Sequence, residues 1–134
     1  MSLAPEKLAR ITAGFITLIG VTFFVAYLIY LPFPSLFDFS APGEDMLVQS
    51  GILFYCLATG GAAFVAWGIM LGSMRGGSLS REIVFKASAI GLGLLALMRL
   101  GTAVFPHAPF EQLQLLPVSE FVVFSFVALK LYKS

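Results

Sequence analysis

Four long apolar stretches divide the chain, and seven of its eight Lys and Arg residues lie on one side of them. Lys7 and Arg10 precede the first stretch, Arg75, Arg81 and Lys86 separate the second from the third, and Lys130 and Lys133 follow the fourth. The two remaining connections hold no Lys or Arg. Loops on the cytoplasmic side of a membrane carry the excess of cations. The pattern therefore predicts an all-α, integral membrane four-helix bundle with both termini in the cytoplasm. Composition bears on this at one point: 59% of the 134 residues are hydrophobic and only 11% are charged, against roughly 25% charged in a soluble domain. That leaves too little polar surface to cover a water-soluble globule, and the length suits a single transmembrane domain spanning 1–134.

The uncharged run Ile11 to Leu31 is 21 residues long, longer than the roughly 7–15 residues of a signal-peptide core, and is read as a retained helix over about 8–31. Tyr27 and Tyr30 mark its outer interface, and Pro32 and Pro34 stop it. A second helix is expected over 44–74. Its Gly68/Gly72 pair and the Ala87/Gly91 pair of the third helix, over 81–105, are small-residue ridges of the kind that let helices approach closely in lipid. These ridges are expected to pack helix 2 on helix 3, with Ala89/Gly93 as a further pair, or to serve a protein partner or a second copy. Ser80 is the expected N-cap of helix 3. In the second outer loop, 109–116 reads as a short interfacial helix with Phe110, Leu113 and Leu116 towards lipid. Pro117 then opens helix 4, over 117–132.

Two charges fall inside spans. Arg99 lies 13 residues beyond Lys86, and Glu120 lies 10 residues before Lys130. At roughly 1.5 Å per residue these depths agree within about one helical turn. Helices 3 and 4 are antiparallel neighbours, so an ion pair pinning one to the other is expected ahead of a polar pocket or simple lipid contact. A charge in a span is costly and often functional, so the candidate binding set is Arg99 and Glu120 with Gln49, Tyr27 and Tyr30 at similar depth. Cys56 and Thr59 continue the Gln49 face. Thr59 is expected to bond its own helix, Cys56 to be a buried, inert thiol, and His107 to be a solvated loop residue.

Much chemistry is excluded. A bis-His haem needs two histidines in the spans, and the one histidine lies outside them. Zinc needs three or four ligands, whereas His107 and Glu111 supply two. The single cysteine allows no internal disulfide. No phosphate-cradling or nucleophile motif is present, and the cations bracket spans instead of forming a nucleic-acid face. No cofactor, metal or catalytic residue is assigned. A lipid-modifying enzyme using Glu120 as acid or base would lack its other catalytic groups.

The four spans, the total length, the Gly-rich second helix, the Arg99-Leu100-Gly101 element closing the third and Glu120 early in the fourth together resemble small bacterial membrane proteins of the DoxX-like four-helix kind. The resemblance implies a multi-pass protein of the bacterial inner membrane and carries no activity to any residue. The function expected is a non-enzymatic accessory or assembly subunit. The alternative is a binder or carrier of a small lipidic molecule, of quinone or isoprenoid class, in an outer-leaflet pocket around Arg99 and Glu120.

Overall fold

The computed structural model describes residues 5–37, 44–74, 78–107 and 110–134, and over 44–49 the backbone alone. Four helices follow one another: α1 Pro5–Tyr30, α2 Glu44–Gly72, α3 Arg81–Val104 and α4 Leu115–Tyr132, with a 3-10 turn at Pro34–Phe37. All four are long and apolar enough to cross a membrane. Between 11% and 33% of the most apolar window of each helix is buried within the protein. The rest is apolar surface, for which lipid is the fitting solvent.

The helix ends follow local chemistry. Pro5 occupies the first turn of α1, where its missing N–H costs nothing, and Glu6 sits at the positive end of the helix dipole. At the other end Pro32 has no N–H, so the last turn closes through Leu31 N–H to Tyr27 O and Phe33 N–H to Ile29 O. Ser80 caps α3, its hydroxyl oxygen accepting from Ile83 N–H at 3.3 Å. Phe105 N–H donates to Gly101 O at 2.8 Å just before Pro106 ends the helix.

The expected interfacial helix over 109–116 is replaced, among the described residues, by turns. Phe110 N–H donates to His107 O at 2.6 Å and Leu113 N–H to Phe110 O at 3.2 Å. Pro117 cannot donate to Leu113 O, so Leu116 N–H takes that carbonyl at 2.9 Å, and α4 opens at Leu115. Phe110 is buried instead of facing lipid.

α1 and α2 form the tightest pair. A Cβ added to Gly20 would lie 2.5 Å from the Gly61 carbonyl oxygen, and one on Gly61 would lie 2.6 Å from that of Gly20. Only glycine permits that approach. The Gly68/Gly72 ridge continues the same seam against Ala13 and Thr17. It therefore faces α1 and not α3, because α1 is the helix that presents matching small side chains there. Gly91 does meet α2, over Ala66 and Ala62, whereas Gly93 opens to the outside. α4 packs against α3, and its one buried residue is Pro117. The helices thus lie side by side in chain order with α4 at the outer edge. The apolar core sits away from the basic end and is built on Phe24, Tyr27, Tyr30, Leu31, Ala58 and Met98.

Candidate functional site

The polar residues inside the protein gather at the end opposite the basic one. α1 brings Tyr27 and Tyr30, one helical turn apart on its inner face, both buried. α2 brings Tyr55. α3 brings Met98, Arg99 and Thr102, which i, i+3 and i+4 spacing places on one face. His107 and Phe110 come from the loop, and Glu120 from the second turn of α4.

Arg99 Nε lies 2.6 Å from Glu120 Oε2, so the expected pair forms. The side chains are 8% and 30% exposed, which makes Arg99 the more deeply held partner. The N–H points off the line to the carboxylate, so the contact is an ion pair without a directed hydrogen bond, and Arg99 Nη1 has no hydrogen-bond partner among the described residues. Aromatic faces complete its surroundings: Cζ lies 4.3 Å from the Tyr55 ring centre and 6.0 Å from that of Phe124. Each such cation–π contact contributes about 0.5–2 kcal/mol.

Tyr55 links this pair to a second cluster, its ring 6.0 Å from Tyr27 and 4.6 Å from Phe110. Tyr27 Oη lies 2.7 Å from Thr102 Oγ1 and 2.9 Å from His107 Nε2. The direction follows from the single hydrogen each hydroxyl carries. Thr102 donates to Met98 O at 2.9 Å, so its oxygen accepts from Tyr27. Tyr27 then accepts from His107, whose Nε2 must carry a proton. The chain ends on a backbone carbonyl, which makes it a lock for the loop and not a path for protons. Gly51 makes room for it: a Cβ there would lie 2.8 Å from His107 Nδ1 and 3.1 Å from Tyr30 Oη.

Of the residues expected at the site, Arg99, Glu120, Tyr27 and Tyr30 come together, and the Gln49 side chain lies outside the described residues. His107, expected in solvent, is packed against the Tyr27, Tyr30 and Phe110 rings at 5.9, 5.7 and 5.3 Å. Its two flanking prolines, Pro106 and Pro109, were its only signal in the sequence. Thr102, Tyr55 and Gly51 had none. Thr59 bonds its own helix, donating to Tyr55 O at 2.9 Å. Cys56 is exposed on the outer surface of α2, next to the exposed Ile52 and Leu53, and so turns away from the cluster. No group of three or more His, Cys, Asp or Glu residues suited to a metal occurs among the described residues.

No family model matches the chain, and no curated protein or solved structure does either. The class of protein is therefore defined by the fold alone: a four-helix chain built to span a membrane several times.

Proposed function

We propose that this chain is a non-enzymatic accessory or assembly subunit of a bacterial inner membrane, with both termini in the cytoplasm. The observation that carries the proposal is the closure of the intramembrane charges on each other. Arg99 and Glu120 meet at 2.6 Å, and Tyr55 and Phe124 wall the guanidinium so closely that water reaches neither Nε nor Nη1. Such a pair clasps α4 to α3 and fixes the edge of the bundle. The Tyr27–Thr102–His107 lock performs the same task for the outer loop. The Gly68/Gly72 and Ala87/Gly91 ridges meet other helices of the same chain, so contact with a partner or second copy falls to the outer apolar faces. The resemblance to DoxX-like proteins belongs to this reading as a proposal of location.

One observation favours the alternative, a binder of a small lipidic molecule at this end: Arg99 Nη1 is buried without a hydrogen-bond partner among the described residues. Native mass spectrometry from mild detergent, on wild type and Arg99→Ala, separates the two. The subunit reading expects an oligomer or a co-purifying protein and no bound small molecule besides phospholipid. A quinone-sized adduct present in wild type and lost in Arg99→Ala would overturn it.

A further inference from the structure

A furrow runs along the α1/α2 seam at the basic end, away from the polar cluster. Two adjoining cavities share Arg10 and Gly72. One, of about 630 Å³, reaches Ser73 and Ile83. The other, of about 570 Å³, runs past Gly14 and Leu18 to Val21. The furrow is open over Gly14, where an added Cβ would meet nothing within 4 Å, and Gly68 and Gly72, packed against Thr17 and Ala13, line its other side. Arg10 stands exposed at its mouth and makes no ion pair or hydrogen bond among the described residues.

We propose that this furrow binds an anionic phospholipid of the surrounding bilayer, with the phosphate on Arg10 and one acyl chain along Gly14, Leu18 and Val21. Length supports the assignment. Arg10 to Val21 is roughly 16 Å of helix, about half of a hydrocarbon core of roughly 30 Å, which is the reach of a chain in one leaflet. Charge supports it as well. Lys7 and Arg81 lie at the same end, while the nearby Lys86 is neutralised by Glu82 at 2.6 Å. The carboxyl end of α2 also lines the mouth, but its dipole amounts to about half a negative charge, less than the full charge of Arg10. A guanidinium presents two parallel donors to a phosphate.

The experiment is native mass spectrometry of the full chain released from lipid discs of mixed phosphatidylglycerol and phosphatidylcholine. Wild type is expected to retain phosphatidylglycerol selectively. Arg10→Gln should lower that retention about fivefold, the effect of one interfacial cation. Gly14→Leu keeps every charge and fills the furrow, so it should abolish retention. Gly60→Leu adds the same bulk at another open position and should leave retention unchanged. Equal retention of the two lipids would overturn the proposal. So would wild-type retention in Gly14→Leu, or a loss in Lys7→Gln equal to that in Arg10→Gln, which would mark diffuse attraction to the membrane surface. Should Gly14→Leu fail to fold, the comparison of Arg10→Gln with Lys7→Gln decides alone. The site lies at the opposite end from Arg99, so Arg99→Ala should not affect it, and failure here leaves the subunit reading standing.

Discussion

Arg99 and Glu120 are unequal partners, and the inequality can be measured. Removing Arg99 strands a carboxylate that is 30% exposed and only partly enclosed by protein. Removing Glu120 strands a guanidinium that is 8% exposed and keeps its charge. Glu120→Ala should therefore destabilise more than Arg99→Ala. Both should stay below the roughly 3–5 kcal/mol that a fully buried pair costs when broken. The double variant should be milder than the two single losses added together, with a coupling of about 1–3 kcal/mol. Reversible unfolding in bicelles checks all three values, and a coupling near zero would mean that the pair is no clasp. At Tyr27 the expected loss is larger than for an average interhelical hydrogen bond in lipid, roughly 0.6 kcal/mol. Tyr27→Phe removes two hydrogen bonds at once, one to His107 and one to Thr102, which raises the cost to about 1–2 kcal/mol. Nitrogen NMR of the imidazole provides an independent check: the Nε2–H form should be present in wild type, and the Nε2 resonance should shift in Tyr27→Phe as its hydrogen bond is lost.

Among the elements, α1 and α2 depend on two glycines and are indifferent to others. Gly20→Ala and Gly61→Ala each drive a methyl into the opposite backbone, within 2.5 and 2.6 Å of a carbonyl oxygen, and overpacking of this kind costs about 1–3 kcal/mol. Gly60 and Gly93 face open space, so alanine there should be neutral or add about 0.5–1 kcal/mol through helix propensity. Thermal denaturation of the four variants in one detergent should place them in those two groups; equal losses would refute the close crossing. The number and limits of the helices were legible because charges and prolines punctuate the apolar runs. Arg99 and Glu120 were legible as a pair because depth can be counted from flanking cations. Faces were not. α2 is apolar nearly all round, so periodicity could not show that Cys56 turns outward or that Gly68 and Gly72 look towards α1. Nor could it show that Tyr27 would meet Thr102 and His107, which lie 75 and 80 residues away in the chain.

For the whole molecule, the alternation of four helices places Lys7, Arg10, Arg81, Lys86, Lys130 and Lys133 at one end and the aromatic cluster at the other. The two ends differ in chemistry enough to set the direction of insertion. The basic end carries charges that resist translocation, whereas the described part of the far end holds no Lys or Arg beyond the paired Arg99. One inserted orientation is therefore expected, not a mixture. Single-cysteine labelling tests this in a Cys56→Ser background, which removes the native thiol. Ser35→Cys, on the exposed 3-10 turn after α1, should react with a membrane-impermeant maleimide in intact spheroplasts. Ser134→Cys, just beyond α4, should react only after the membrane is opened. The reverse pattern would overturn the orientation. Labelling of both sites in intact spheroplasts would show that seven cations against none are too weak a bias for a chain this short. It would also place half of the copies with the Arg10 furrow in the opposite leaflet.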